Sequence, residues 1–147
     1  MGMESKYIWM DGELVDFEKA TVHILNPAMH YGAAAFEGIR SYNTPKGPAI
    51  FRLQEHVERL LDSAHVFGIR NFPYTADEIV KAIKETVRAN EFTDCYVRPL
   101  LFLKGGAWNL NVDAGQPALA IAQYLQVEPM GPHTRCRGNS LLPRPDI

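Results

Sequence analysis

The chain has 147 residues, 46% of them hydrophobic and 22% charged, a balance that fits one globular domain with a real core and excludes a disordered chain. Lys plus Arg is 15 and Asp plus Glu is 17, a net charge of −2, so there is no whole-chain electrostatic reason to bind nucleic acid or an anionic membrane. The two cysteines, Cys95 and Cys136, are too few for a disulfide framework and lack the paired spacing of a zinc site. The first residues are polar, without the apolar core of a signal peptide, and no unbroken apolar run reaches the length of a bilayer span, so a reducing, cytoplasmic setting is expected.

In chain order, residues 7–10 and 13–15 read as short strands joined by Asp11-Gly12, a dipeptide suited to a type I′ turn with positive φ at both positions. A second hairpin is expected with arms 36–42 and 49–53 and a tip at 43–48 rich in turn formers. Residues 53–67 read as a helix, because Leu53, Val57, Leu60, Leu61, Ala64 and Phe67 form one apolar stripe, and Gly68 stands where a C-terminal cap belongs. Thr75 with Glu78 three residues on makes a capping box for a second helix, with Ile79, Val80, Ile83 and Val87 on its buried face. Two further strands are expected at 95–104 and 118–125, separated by a glycine-rich loop around Trp108 and Leu110.

Strands, then two helices, then strands again predict an α+β (α/β sandwich) domain, a mainly antiparallel sheet with helices on one side. The domain is expected to span 1–127. From 128 to 147 four prolines and three arginines come with no helical or strand period, which predicts a divergent, mobile tail.

Four clusters could carry chemistry. His30 through Arg40 is rich in small residues that let a backbone come close to a ligand or to another strand, and Tyr31 and Phe36 could wall an apolar pocket. Composition alone favours the plainer alternative, a core strand with Gly38 at a bulge. Arg52, His56 and Arg59 fall on one side of the first helix; Arg59 could hold a phosphate, but on spacing alone a surface pair with Glu55 or Asp62 is favoured. Tyr96 and Arg98 point the same way in a strand and together suit a carboxylate, or are simply a half-buried tyrosine beside a surface arginine; Pro99 removes a ladder donor and argues for an edge or a bulge. The loop around Trp108 is a lid or a reach to a neighbouring subunit, or a plain turn, and lacks the spacing of a phosphate-binding P-loop. No metal-ligand cluster is present in the sequence.

Together these pieces resemble one family. Tyr7 through Glu13, Val22-His23-Ile24, His30-Tyr31-Gly32, Phe36-Glu37-Gly38-Ile39-Arg40, Phe51-Arg52-Leu53 with His56 and Arg59, and Tyr96-Val97-Arg98-Pro99 follow the order found in branched-chain aminotransferases of fold type IV. The related D-amino-acid aminotransferases and aminodeoxychorismate lyases match less well. The resemblance implies pyridoxal 5′-phosphate as cofactor, its phosphate held by Arg59. It implies Phe36 and Gly38 lining the substrate pocket, Tyr96 and Arg98 recognising carboxylate, Tyr31 at the pocket, and Trp108 and Leu110 approaching the partner subunit's site. It implies transfer of an amino group between leucine, isoleucine or valine and 2-oxoglutarate, by a homodimer or larger assembly.

The family's enzymes are about twice as long, and their second domain supplies the lysine that carries the cofactor. None of Lys6, Lys19, Lys46, Lys81, Lys84 and Lys104 stands in the family's lysine motif. The expectation is a truncated product, inactive alone and without a catalytic residue of its own. The alternative is a non-catalytic assembly module that pairs with an intact subunit.

Overall fold

The computed structural model describes residues 5–105 and 115–125. The expected loop around Trp108 and Leu110 and the expected tail at 128–147 lie outside them.

Strands β1 (Tyr7–Met10) and β2 (Glu13–Asp16) pair antiparallel, with Met10 opposite Glu13. Asp11 and Gly12 take φ of 49° and 111°, the two positive angles the turn requires. The Asp11 carboxylate accepts from the backbone N–H of Leu119 at 2.9 Å and pairs with Lys104, so this turn is pinned to the centre of the sheet. After a single turn of 3₁₀ helix (Phe17–Lys19) comes a short helix that periodicity did not predict, α1 (Pro27–Tyr31). Its signals are local: Asn26 caps it by accepting from the Ala28 N–H, Pro27 needs no donor in the first turn, and Gly32 ends it at φ 64°.

The expected arm at 36–42 is two strands, β3 (Ala34–Phe36) and β4 (Ile39–Thr44). β4 turns tightly into β5 (Gly47–Ile50), with Thr44 opposite Gly47. The hairpin is therefore shorter than expected at its second arm and tighter at its tip. Helix α2 (Leu53–Val66) and helix α3 (Ala76–Asn90) follow. Ile69 returns its N–H to the Ala64 carbonyl past Gly68 (φ 88°), closing α2 as the sequence predicts. Thr75 and Glu78 form both bonds of the capping box at the start of α3.

Strands β6 (Cys95–Lys104) and β7 (Gln116–Tyr124) complete a sheet of order β2-β1-β7-β6-β4-β5, with β3 also on β6 and every pairing antiparallel. β6 is therefore central, and Pro99 sits in neither an edge strand nor a bulge. All partner pairs from Ala34↔Phe102 to Ser41↔Cys95 keep one register, so no residue is inserted at Glu37-Gly38. The ladder breaks there because Pro99 accepts from the Glu37 N–H at 3.1 Å and has no N–H to return.

Both long helices cover one face of the sheet. Under α3 lie Trp9, Ile39, Val97, Leu119 and Ile121 against Ile79, Ile83 and Val87; under α2, Ala35, Leu101 and Leu103 meet Leu60 and Ala64. Phe67, expected in the α2 stripe, is instead exposed at the helix end. This is the expected α+β sandwich, and among the described residues it leaves the opposite face of the sheet without a long helix.

Candidate functional site

Strand alternation sorts β6 into two sets. Val97 is fully buried under the helices, while Tyr96 and Arg98 point to the open face. Because β3 and β4 share a register with β6, Phe36, Gly38 and Arg40 stand on that face too, with Arg40 opposite Tyr96. Tyr124, opposite Tyr96 on β7, completes the group. Four of the residues singled out in the sequence, Phe36, Gly38, Tyr96 and Arg98, are thus brought together.

Their contacts are specific. The Arg98 guanidinium lies 4.3 Å above the Phe36 ring centre and 5.2 Å from that of Tyr96. It donates to the Tyr96 hydroxyl at 3.1 Å. Tyr96 stacks on Tyr124, with ring centres 5.0 Å apart and planes 25° from parallel. A Cβ at Gly38 would come 1.9 Å from the Tyr96 hydroxyl oxygen, so glycine is what lets the tyrosine lie over the strand. Arg98 Nε is buried with no hydrogen-bond partner among the described residues. A cation stacked on its faces by aromatic rings keeps its edge free to donate, and a buried N–H left open favours an acceptor such as a carboxylate.

Arg59 lies elsewhere. Glu37 falls between Phe36 and Gly38 and turns to the helix-bearing side, where it is 6% exposed. Arg59 grips it through Nε at 2.6 Å and Nη2 at 2.7 Å, and His56 Nδ1 meets it at 3.0 Å. The partner expected from spacing, Glu55 or Asp62, is not used; Glu55 pairs with Arg52 at 2.9 Å instead. The Arg59 bonds, helped by His56 and against the opposing effect of burial, set the Glu37 carboxyl below its ordinary value. Local helix spacing could not reveal this pair, because its members are 22 residues apart.

Tyr31 is also apart from the Phe36 group. It sits at the end of α1 on the wall of a separate cavity of about 650 Å³, with His30, Asn26, Met10 and Lys104. Trp108 and Leu110 lie outside the described residues. Among the sites the sequence did not single out, Tyr124 carries no local signal; its stacking follows only from the β6–β7 register. The six lysines are all described. Lys6 pairs with Glu91, Lys19 with Asp16 and Lys104 with Asp11, while Lys46, Lys81 and Lys84 are exposed. Among the described residues no group of acidic, histidine and cysteine side chains is arranged to hold a metal, and no helix is long and apolar enough to cross a membrane.

Comparison with known proteins agrees with this arrangement. The branched-chain-amino-acid aminotransferase of Pseudomonas aeruginosa is 44% identical over 117 residues, 80% of this chain and 38% of that protein. That of Escherichia coli K12 is 42% identical over 114 residues, 76% of this chain and 36% of that protein. Among solved structures, the branched-chain aminotransferase of Thermoproteus uzoniensis with norvaline superposes with a TM-score of 0.77 at 45% identity, covering 82% of this chain and 41% of that one. The branched-chain amino acid aminotransferase of Thermobaculum terrenum, in its PLP-bound holo-form, gives 0.75 at 31% identity, covering 85% and 41%. The chain thus spans about two fifths of the length of these relatives. The amino-transferase class IV family model matches residues 34–144, a stretch that holds Phe36, Gly38, Arg59, Tyr96 and Arg98, and the chain belongs to that family.

Proposed function

We propose that this chain is the amino-terminal part of a pyridoxal-phosphate-dependent branched-chain aminotransferase, moving the amino group between leucine, isoleucine or valine and 2-oxoglutarate. The observation that carries the reading is the buried, unpartnered Arg98 Nε held between Phe36 and Tyr96 on the open face. Arg98 and the Tyr96 hydroxyl bind a substrate carboxylate. Phe36 and the bare backbone of Gly38 wall the side-chain pocket, an aromatic and a small surface suited to a branched aliphatic group.

The donor set fits the cofactor at its phosphate end. Arg59 keeps donors beyond those given to Glu37, and a planar guanidinium suits a phosphate. When bound, pyridoxal phosphate supplies the electron sink for amino transfer. The chain's own residues do the rest of what falls to this part: Arg59 holds the phosphate, Tyr96 and Arg98 orient the carboxylate, and Phe36 keeps water from the aliphatic side chain. Among the described residues no lysine is bonded to Phe36, Tyr96 or Arg98, which supports reading the chain alone as inactive, with the cofactor lysine supplied by another part of the enzyme and no catalytic residue assigned here. In this reading Tyr31 belongs to the substrate pocket, and the loop with Trp108 and Leu110 approaches the active site of a partner subunit in a homodimer or larger cytoplasmic assembly. The domain covers 1–127, and the segment 128–147 is a divergent tail.

A second reading, an assembly module that pairs with an intact subunit, is favoured by one feature: Val22, Ile24, Leu25, Met29 and Tyr31 are all exposed along one segment. One experiment separates the two. The chain is titrated with 2-oxoglutarate by calorimetry, alongside an assay with leucine, 2-oxoglutarate and pyridoxal phosphate. Binding that Arg98→Gln weakens about tenfold, without turnover, supports the first reading; the loss is about the strength of one charge-assisted hydrogen bond. Binding indifferent to Arg98 sinks it.

A further inference from the structure

Glu37 is a carboxylate in a place that disfavours one. It is 6% exposed beside α2, whereas the Arg59 side chain it grips is 65% exposed. A surface arginine does not need a buried acid to be stable, and a buried acid is tolerated only with charge and hydrogen bonds around it. Glu37 has three such contacts, Arg59 Nε, Arg59 Nη2 and His56 Nδ1. The geometry on the arginine is one-sided. Of its five N–H groups, the Nε–H and one on Nη2 are given to Glu37, and Nη2 also stands 3.4 Å from His56 Nδ1, leaving the two on Nη1 pointing away from the acid.

We infer that Glu37 is a positioning residue, which fixes the Arg59 guanidinium from behind so that its free edge receives a phosphate; this rests on the reading of Arg59 as the phosphate ligand. The pair carries no net charge, so the gain lies in orientation. An exposed arginine otherwise spreads over many rotamers, and each binding event must freeze it. His56 meets the same carboxylate and helps keep it in place. Simple charge arithmetic makes the opposite forecast: removing a negative group beside Arg59 should tighten an anion. The two accounts therefore differ in sign.

The test is NMR titration of this chain with pyridoxal 5′-phosphate and, separately, with pyridoxal, which lacks the phosphate. The wild type is expected to prefer the phosphorylated compound, with the Arg59 Nε–H signal moving only in that titration. Arg59→Gln should abolish the preference. Glu37→Gln, of the same shape, should lower it several-fold while leaving pyridoxal affinity unchanged, and Glu37→Asp, too short to reach both nitrogens, should lower it as well. Amide dispersion in the same spectra reports whether each variant is folded, and Glu37→Asp stands in if Glu37→Gln is not. If Arg59→Gln abolishes the preference but the folded Glu37 variant keeps or strengthens it, the positioning role is wrong and the phosphate reading stands. If the Arg59 signal does not move with the phosphate, or Arg59→Gln changes nothing, both are wrong.

Discussion

Gly38 and Tyr96 occupy the same space on the open face of the sheet: the tyrosine hydroxyl lies where a Cβ at position 38 would be, 1.9 Å from it, with the ring carbon Cζ at 2.8 Å. Tyr96 cannot step aside freely, because Arg98 holds its hydroxyl and Tyr124 its ring. Gly38→Ala is therefore expected to displace Tyr96 at a cost of about 1–3 kcal/mol, the range for forcing an extra carbon into a packed place. The check is a double-mutant cycle in urea denaturation: in a Tyr96→Ala background the same glycine change should cost little. Equal costs in both backgrounds would place the clash elsewhere.

Glu37 makes stability depend on acid. Its carboxyl titrates below its ordinary value of 4.5, mainly because of the Arg59 bonds. A lowered folded-state pKa binds fewer protons than the unfolded chain, so the stabilisation is complete above 4.5 and is lost as pH falls toward the folded value. Melting temperatures of wild type and Glu37→Gln, measured from pH 6 down to about pH 3 across the carboxylate range, should converge as pH falls. Parallel curves would mean that Glu37 titrates alike in the native and unfolded states, and the Arg59 pair would then not hold its carboxyl below the ordinary value.

Cys95 should be silent to thiol reagents. It is buried under the helices, and that burial pushes its thiol up to about 11, with Asp94 adding to the shift. In a Cys136→Ser background, alkylation by iodoacetamide near pH 8 should be roughly a hundredfold slower in the folded chain than in urea, since the thiolate is the reacting form. A comparable rate in both states would contradict the burial.

Asn90 ties the first strand to the rest. At the end of α3, its Oδ1 accepts from the Tyr7 N–H at 2.9 Å, and its Nδ2 faces the Tyr7 carbonyl at 3.0 Å and Gln123 Oε1 at 2.9 Å. Asn90 is 2% exposed, so Asn90→Ala strands buried polar groups and should cost about 2–3 kcal/mol. Hydrogen exchange should show β1 amides opening before those of β6.

Thr75→Ala tests the capping box. It removes the acceptor of the Glu78 N–H and is expected to cost about 1 kcal/mol, seen as a shift in the urea midpoint at unchanged slope.

Local rules made much of this domain legible. Asp11-Gly12, the Thr75–Glu78 box, the α2 stripe with Gly68 and the shared face of Tyr96 and Arg98 each depend on residues close in sequence. What escaped depends on partners far apart. Arg59 bypasses the acids within helical reach for Glu37, because a buried carboxylate needs it more than exposed ones do. Pro99 reads as an edge residue until its missing donor is seen to fall in the gap between β3 and β4. Tyr124 joins the open face only through its pairing with Tyr96. α1 is too short for periodicity to find and is visible only in its caps.

The unbroken register from Ala34 to Ser41 has a consequence for how this segment can diverge. Side chains along it can be exchanged one at a time, but the count cannot change: a single inserted or deleted residue would exchange the two faces beyond that point and set Phe36 and Arg40 back to back. Natural variation here should therefore run through substitutions, while length changes collect in the turns on either side, and a deletion scan of this stretch should be intolerant at every position, including those that touch nothing on the open face.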